Sequence, residues 1–239
     1  MSGVPEAEEG TEASDSMLLD SYARDLTVNA ICYDLKTGDI LDFHGGLKDV
    51  KEQVLRMVSH PDVTLKYTPS RIIRILRFLA RYEDSTLSQD LEDTLREYCQ
   101  EYIRLIEPFE AQNQIRRLWI SGYAAACFDK MVEYDVLGYF YPAVVELCAT
   151  EAYRTEVREA LAGLDAKVAR GESVVLYMGT AELLLPAVRE LMETMSAEEA
   201  VEEALKQMDP VYGFFGEERA NTAAYLLELL SAEQEEKAA

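Results

Sequence analysis

Apolar residues alternate with polar ones near the start of the chain and predict a β-hairpin over residues 28–43. They recur before the turn sequence Thr-Gly-Asp at residues 37–39, and Ile40 and Leu41 follow the turn. Alternation with a period of two is typical of strands, and a glycine-containing turn commonly joins two strands. Gly45 and Gly46 then predict a sharp turn of the backbone. Residues 48–58 fit either a short helix or a strand.

The spacing of arginines further along the chain predicts a helix with one basic face and one buried face. Between residues 71 and 81, arginines recur at intervals of three and four, and isoleucine and leucine occupy positions between them. This is the period of an amphipathic helix. Thr68 and Pro69 are expected to cap its first turn. The arginines are Arg71, Arg74, Arg77 and Arg81.

From Pro69 onward the pattern is helical nearly to the C-terminus. Ser88 is expected to cap the next helix, and the capping-box sequence that begins at Ser196 predicts the start of another. Trp119 lies on an apolar stripe and is expected in the core rather than on a stacking surface. The remaining helices are predicted at residues 112–134, 151–169, 174–195 and 217–235.

Composition limits the class of protein. With 239 residues, of which 49% are apolar and 28% charged, the chain can bury a full hydrophobic core. It has no run of 18 apolar residues and no apolar signal-peptide core near its start, so we expect a cytoplasmic protein with no membrane partner. The four cysteines are far apart and are expected to be buried free thiols. His44 and His60 lack metal-ligand spacing, so no metal ligand is assigned.

The distribution of charge changes what the net charge implies. A net charge of −22 argues against a nucleic-acid partner. Residues 1–20, however, carry six acids and no base, whereas residues 48–81 contain eight lysines and arginines against three acids. A local basic strip can bind phosphates while the rest of the protein is acidic. The alternative is that this strip is an ordinary solvated helix face.

Three features in the same order resemble the bacterial poly(A) polymerases and the class II CCA-adding tRNA nucleotidyltransferases. The first is ARDLTVNA at residues 23–30, which is similar to the family motif Arg-Arg-Asp-Phe-Thr-x-Asn-Ala. The second is Asp42 followed by Gly45-Gly46, and the third is PSRIIRILRF at residues 69–78. A fourth feature in the same order, around residues 133–142, resembles the family's helical body, and the helices from there to the C-terminus resemble it more weakly. The resemblance covers roughly residues 20–144.

The family resemblance implies roles for several residues. Those expected to bind nucleotide are Arg24, Asp25, Asn29, Arg71 and Arg74, and those expected to bind RNA are Lys48, Lys51, Arg77 and Arg81. Structural roles remain open beside these. Arg24 and Asp25 can equally form an ion pair that holds the hairpin, Asn29 can tie the turn to the strand, and the arginines of the helix can form salt bridges with an acidic body.

Two departures from the family pattern bear on catalysis. The family's metal-binding carboxylates lie on a strand that precedes the ARDLTVNA motif, but the 23 residues before Arg24 contain no Asp-x-Asp. Two-metal phosphoryl transfer depends on such carboxylates. The family's Glu-Asp pair before Pro-x-Arg is replaced by Tyr67-Thr68. We therefore assign no catalytic residue, and Mg²⁺ and a nucleoside triphosphate are expected only together with a head domain.

Together these observations predict a mainly α fold, with a helical neck and body and a short β-hairpin remnant of a nucleotidyltransferase head. The leading hypothesis is the neck-and-body portion of a template-independent RNA 3′-end nucleotidyltransferase that is inactive alone. The alternative is a non-catalytic helical scaffold of the same family that binds RNA or a protein. Expected partners are RNA, including tRNA, a separate head-carrying chain, or a second copy bound through the exposed hairpin edge. The predicted regions are an acidic disordered tail at 1–20, the end of a head-like domain at 21–66, neck and body at 67–145, and a helical region at 146–239.

Overall fold

The computed structural model describes residues 9–207 and 217–238. The chain forms two compact units. The first comprises Met1–Tyr67 and Glu83–Glu97, and the second comprises Thr68–Tyr82 and Tyr98–Ala239. We predicted separate regions at 67–145 and 146–239, but most of both lies in the second unit. Residues Glu83–Glu97, which we expected in the neck and body, belong to the first unit.

The first unit contains short strands and helices. Its elements are α1 (Glu9–Tyr22), β1 (Cys32–Tyr33), β2 (Ile40–Leu41), α2 (Gly46–Glu52), β3 (Val54–Leu55), α3 (Pro61–Tyr67), β4 (Thr86–Leu87) and the first part of α5 (Gln89–Tyr102). Strands β1 and β2 pair antiparallel, with Cys32 opposite Leu41. Strands β3 and β4 pair parallel, with Leu55 opposite Leu87.

The predicted hairpin is present but short, and the beginning of its predicted first strand is a 3-10 turn instead. Thr27–Asn29 form a 3-10 turn, because the side chain of Asp25 accepts hydrogen bonds within this segment and draws the backbone into a turn. After the glycine turn, residues 48–58 contain both alternatives that the sequence left open, the end of helix α2 and then strand β3.

Helix α1 occupies residues for which composition predicted a disordered tail. Residues 1–8 of that tail lie outside the described residues, whereas Glu9–Tyr22 are helical. The last turn of α1 is anchored by Ser21, which is fully buried. The hydroxyl of Ser21 donates to the carbonyl of Leu18 (2.6 Å) and hydrogen-bonds to His44 Nε2 (2.8 Å). These contacts explain helical order at the end of α1, where local composition did not predict it.

The second unit is a bundle of helices. They are α4 (Ser70–Arg81), the end of α5, α6 (Pro108–Trp119), α7 (Ala124–Glu133), α8 (Leu137–Phe140), α9 (Glu151–Ala169), α10 (Leu176–Leu191), α11 (Ala197–Lys206) and α12 (Glu217–Ala238). Helix α4 packs on α6 and α7, and α10 packs on α6, α9, α11 and α12. The prediction of a mainly α fold is confirmed.

Trp119 lies at the centre of the bundle. Its ring is fully buried, and its Nε1–H donates to the hydroxyl of Tyr141 (2.7 Å), which is hydrogen-bonded to Thr180 Oγ1 (3.2 Å). A Cβ at Gly179 would lie 2.6 Å from the Trp119 side chain, so α10 approaches α6 closely enough to require a glycine at this position. The expectation that Trp119 belongs to the core is confirmed.

Of the three helix starts predicted from capping residues, one forms the predicted side-chain hydrogen bonds. The capping box at Ser196 is confirmed, because Ser196 and Glu199 exchange both of its hydrogen bonds. Thr68 and Pro69 do not cap α4 through a side chain; Pro69 itself has helical backbone angles. Ser88 precedes α5, but its hydroxyl is buried without a hydrogen-bond partner in the described structure.

The helix predicted over residues 112–134 is two helices. The chain turns at Gly122, whose φ of +81° is a left-handed conformation that favours glycine. Helix α7 then restarts with the backbone N–H groups of Ala124 and Ala125 donating to the carboxylate of Asp165 (2.7 and 3.1 Å). This long-range cap stabilises the break in a way that the local pattern does not reveal. Within the described residues, no helix is long and apolar enough to cross a membrane.

Candidate nucleic-acid interface

In the first unit, Asp25 and Asn29 hold the turn that precedes the hairpin. Asp25 is buried, and its Oδ1 accepts hydrogen bonds from the backbone N–H of Leu26 (2.9 Å) and from the side-chain amide of Asn29 (3.1 Å). The carbonyl of Asp25 accepts from the N–H of Val58 (3.0 Å). These hydrogen bonds give both side chains a structural role, but for Asp25 that role is to hold the turn, and the predicted ion pair of Asp25 with Arg24 is replaced by one between Arg24 and Asp20. A role of Asp25 and Asn29 in nucleotide binding stays a prediction.

Arg24 is paired with an acid of helix α1. Its guanidinium donates from both Nε and Nη2 to Asp20 Oδ2, and about half of each side chain is exposed. The hydrogen bond with Asp20 raises the pKa of Arg24 above its ordinary value. A nucleotide phosphate would have to compete with Asp20 for this guanidinium.

The glycine turn is fixed by Asp42. Its Oδ1 accepts from the N–H of Gly46 (2.8 Å) and its Oδ2 from the N–H of Leu47 (2.9 Å), at the start of α2. Burial raises the pKa of the Asp42 carboxyl, but the hydrogen bonds from the backbone outweigh this effect and the pKa is lowered overall. Gly45 has a φ of +77°, and a Cβ at Gly46 would lie 2.3 Å from a backbone oxygen. Both glycines are thus required by the turn.

Asp49 is a buried carboxylate that the sequence did not single out. It accepts from the hydroxyl of Thr27 (2.7 Å) and from Nε of Arg56 (3.2 and 3.3 Å). The carbonyl of Arg56 in turn accepts from the N–H of Thr27 (2.9 Å). This arrangement ties the 3-10 turn to helix α2 and the strand that follows it. It is an internal clamp, because its oxygens are already bonded to the protein.

Lys48 and Lys51 lie on the exposed surface of α2. Lys48 is at the limit of an ion pair with Glu52, at 4.0 Å, and most of its side chain is exposed. Both ammonium groups are accessible, and their expected contact with RNA stays a prediction. Among the described residues, no group of three or more His, Cys, Asp or Glu side chains is arranged to hold a metal ion.

In the second unit, helix α4 presents the basic face that its sequence predicted. Its isoleucines and leucines at positions 72, 73, 75, 76 and 79 are buried. Three arginines on the opposite face, Arg71, Arg74 and Arg77, are half-buried, and Arg81 is exposed at the end of the helix. The predicted amphipathic arrangement is therefore present.

Packing of α6 and α7 against α4 adds two groups to this face. Arg117 lies in the last turn of α6, and Tyr123 lies just before α7, after the turn at Gly122. The N–H of Tyr123 donates to the hydroxyl of Ser121 (3.1 Å), which fixes the turn that carries its ring. Neither group was predicted from the sequence. The pair Arg116-Arg117 at the end of an apolar helix pattern was the available signal, but nothing in the sequence placed it beside α4.

We define the arginine cluster as Arg74, Arg77, Arg81 and Arg117. Burial lowers the pKa of Arg77 below its ordinary value, and the charges of Arg74 and Arg117 lower it further, while Tyr123 acts in the opposite direction. Burial likewise raises the pKa of Tyr123, and the neighbouring guanidiniums of Arg77 and Arg81 oppose this rise. The half-buried charge of Arg77 thus lies among like charges.

The described residues provide no salt bridge to Arg77, Arg81 or Arg117. Other arginines of the same unit are paired with carboxylates: Arg154 with Glu151, Arg158 with Asp129, Arg170 with Glu172, Arg189 with Glu156 and Glu233, and Arg219 with Glu202. In a chain with 45 acidic residues, three neighbouring arginines without a carboxylate partner in the described structure form a surface suited to an external anion.

Comparison with known proteins supports the resemblance found in the sequence. Residues 3–56 match the family model described as the poly A polymerase head domain. The match begins inside the segment predicted to be a disordered tail, so most of that segment has counterparts in the head-domain family.

Two curated relatives and one solved structure extend the match. Poly(A) polymerase I of Haemophilus influenzae is 27% identical over 143 residues, which are 60% of this chain and 30% of that protein. The multifunctional CCA protein of Pasteurella multocida is 33% identical over 140 residues, 55% of this chain and 31% of that protein. The match to the Thermotoga maritima CCA-adding enzyme, solved in complex with tRNA, has a TM-score of 0.66 at 20% identity and covers 92% of this chain and 50% of the other.

The solved structure supports the likeness in fold, and the two curated proteins support relatedness in sequence. The chain matches less than a third of the length of each of these curated relatives and about half of the solved structure. The family-model match and the curated proteins show that the chain is similar in sequence to bacterial poly(A) polymerases and CCA-adding enzymes, and the solved structure shows that it is similar in fold.

Proposed function

We propose that this chain is the neck-and-body portion, with the end of the head, of an RNA 3′-end nucleotidyltransferase, and that the arginine cluster binds phosphates of its RNA substrate. The observation that carries this proposal is the absence of a carboxylate partner for Arg77, Arg81 and Arg117 in the described structure of a chain with a net charge of −22. Similarity to poly(A) polymerase I and to a multifunctional CCA protein supports RNA as the source of the phosphates.

A phosphate would relieve the electrostatic cost of the arginine cluster. Arg77 is half-buried beside Arg74 and Arg117, so each positive charge disfavours the others. A phosphate oxygen accepts charge-assisted hydrogen bonds from guanidinium groups, and arginine presents its donors in a fork that matches phosphate geometry. A bound backbone phosphate would therefore be stabilised by several cations at once.

The other residues implied by the family resemblance belong to the same proposal. Arg71 and Arg74 would contact a nucleotide from helix α4, and Arg24 with Asp25 and Asn29 would do so from the first unit. The exposed ammonium groups of Lys48 and Lys51 would contact RNA from α2. Mg²⁺ and a nucleoside triphosphate would bind together with a head domain that supplies metal-binding carboxylates.

We further propose that this chain does not catalyse nucleotidyl transfer by itself. The sequence contains no Asp-x-Asp, and two buried carboxylates of the first unit, Asp25 and Asp49, are engaged in internal hydrogen bonds. Phosphoryl transfer by two metal ions needs carboxylates free to bind them. A separate chain that carries a head would complement this one.

Primer extension tests this part directly. The purified chain is incubated with Mg²⁺, a labelled RNA or tRNA, and each nucleoside triphosphate in turn. We expect no extension by the chain alone and extension after a head-carrying chain is added. Extension by the chain alone would refute the proposed dependence and would identify the nucleotide used.

RNA affinity as a function of salt tests the arginine cluster. Removal of one phosphate contact should reduce the slope of log affinity against log salt by about 0.7 for a single strand. Arg77→Gln and Arg117→Gln are each expected to weaken binding roughly tenfold. Arg158→Gln is the matched control, because Arg158 forms a salt bridge with Asp129 on another helix pair. Equal behaviour of all three variants would contradict phosphate binding at the arginine cluster.

A second candidate function is a non-catalytic helical scaffold of the same family that binds RNA or a protein. Two departures from the family pattern together favour it: Tyr67-Thr68 replace the base-reading acidic pair, and the metal-binding carboxylates before Arg24 are missing from this sequence. Binding to a protein partner with little dependence on salt would support this candidate over the first. Steep dependence on salt together with template-independent extension would exclude it.

The hairpin offers a further partner surface within these proposals. Tyr33, Leu35 and Ile40 are largely exposed on β1, β2 and the turn between them, and a two-stranded sheet has unpaired edges. A second copy of the chain could pair with this edge. Light scattering over a range of concentrations would show a dimer, and a monomer throughout would count against this contact.

A further inference from the structure

We propose that Tyr82, at the end of helix α4, is a stacking platform for a nucleobase, so that the arginine cluster takes single-stranded rather than duplex RNA. This inference rests on the proposed binding of RNA phosphates by the cluster and goes beyond it by naming the form of RNA. Phe78, the ring that supports Tyr82, ends a stretch that resembles the family, but the resemblance implies a binding role for neither Phe78 nor Tyr82.

The ring of Tyr82 is exposed but held in place. It is 45% exposed and caps the C-terminus of α4, where its N–H donates to the carbonyl of Phe78 (3.0 Å). The rings of Phe78 and Tyr82 are stacked nearly parallel, with centroids 6.3 Å apart and planes inclined by 12°. A ring already oriented by its neighbour loses little conformational freedom when a base stacks on it.

Arg81 joins the ring to the charged surface. Its guanidinium carbon lies 5.4 Å from the centroid of the Tyr82 ring, within the range of a cation–π contact. Arg81 is exposed, so its side chain can leave the ring for a phosphate when a base takes its place. Arg77 lies four residues earlier, about 6 Å along the helix axis. Arg77 and Arg81 are four residues apart, as are Phe78 and Tyr82, so a cationic stripe and an aromatic stripe run side by side along the end of α4.

This combination fits a single strand better than a duplex. Proteins that bind single strands use a basic groove along the backbone together with aromatic rings on which unpaired bases stack. In a duplex the base faces are already stacked on one another and are inaccessible to a side chain. The surface with Tyr82 at its end therefore predicts a preference for an unpaired RNA segment, as at a 3′ end.

The alternative is that Tyr82 only covers apolar surface at the end of α4. With such a structural role, substitution of Tyr82 would lower stability and would weaken the binding of single-stranded and duplex RNA equally. A stacking role affects single strands alone. The two can be separated by comparing a substitution that keeps an aromatic ring with one that removes it.

The experiment measures binding of the whole chain to a short RNA that carries 2-aminopurine, both as a single strand and annealed to its complement. Tyr82→Leu is expected to weaken single-strand binding roughly 5- to 100-fold and to leave duplex binding unchanged. Tyr82→Phe should bind like the wild type. Quenching of 2-aminopurine fluorescence by the wild type should be abolished with Tyr82→Leu. Phe109→Leu, at an exposed aromatic residue near the start of α6, is the control and should change neither RNA binding nor 2-aminopurine quenching.

The outcomes for the arginine and tyrosine variants distinguish stacking from phosphate binding. If Arg77→Gln weakens binding but Tyr82→Leu does not, the stacking platform is refuted and phosphate binding stands. If Tyr82→Leu weakens single-strand and duplex binding alike, or if Tyr82→Phe is as weak as Tyr82→Leu, stacking is also refuted. If the wild type binds neither RNA form at low salt, both proposals fail.

Discussion

Replacing Tyr141 with phenylalanine is expected to destabilise the second unit by about 1–3 kcal/mol. The substitution removes one oxygen and leaves the volume of the ring nearly unchanged. In the native structure that oxygen accepts from the indole N–H of Trp119 at 2.7 Å and is 3.2 Å from the hydroxyl of Thr180. Both aromatic rings are fully buried. The indole N–H would be left without an acceptor and without access to water. The free-energy cost of this unpaired buried donor sets the size of the expected destabilisation.

The assay is urea unfolding followed by tryptophan fluorescence. Trp119 is the only tryptophan of the chain, so the signal reports on the affected site itself. The midpoint should fall while the slope of free energy against urea stays the same, since the substitution changes stability rather than the surface exposed on unfolding. Thr180→Val is the companion variant. Its cost should be smaller, because Trp119 keeps its acceptor.

A double-mutant cycle completes the test. If the Tyr141 hydroxyl links Trp119 and Thr180, the two substitutions should not be additive, since the second one removes a group whose partner is already gone. A loss below about 0.5 kcal/mol for Tyr141→Phe would refute the reasoning, because an unpaired buried donor costs at least twice that amount. Such a result would mean that the indole N–H finds another acceptor.

Two further predictions concern the first unit and the pH dependence of the second. Gly46→Ala should destabilise the first unit by about 1–3 kcal/mol, because the added methyl group would meet the backbone oxygen of Thr27; an unchanged thermal midpoint would contradict this. Burial raises the pKa of Glu182, so the folded state binds this proton more tightly than the unfolded state. The contribution of Glu182 to the free energy of unfolding therefore falls as the pH rises above the ordinary pKa of a glutamate side chain. Glu182→Gln should raise the melting temperature at pH 7 and have little effect near pH 4, and a loss at every pH would show that ion pairing of Glu182 with its cationic neighbours dominates.

The sequence predicted those parts of the fold that depend on local contacts. Helix α9 (Glu151–Ala169) has its predicted bounds, and the capping box at Ser196 forms as its residue types indicate. The break at Gly122 was missed because its cause is distant. The carboxylate of Asp165 caps α7 from about 40 residues away along the chain. The apolar pattern continues across Gly122, so the local sequence does not indicate that contact.

The same distinction applies to the candidate site. The basic face of α4 was predictable, because arginines three and four residues apart necessarily share a helix face. Arg117 and Tyr123 were not, since they join this face only when α6 and α7 pack against α4. Asp49 was also missed, because its partner Thr27 lies 22 residues earlier and an isolated aspartate in a charged segment looks like a surface residue.

The resemblance to a family identifies positions, but the partners of each side chain decide which positions remain available for a ligand. Arg24 matches the family motif and is already paired with Asp20, and Asn29 matches it and is bonded to Asp25. Arg117 belongs to none of the family motifs, yet it lies beside Arg77 with no carboxylate partner in the described part of the chain. The protein has about twice as many acids as bases, yet three neighbouring arginines of this face, Arg77, Arg81 and Arg117, lack a carboxylate partner among the described residues. We therefore expect an anion from outside the chain to stabilise the arginine cluster, because like charges placed together disfavour one another and a bound phosphate would offset that repulsion.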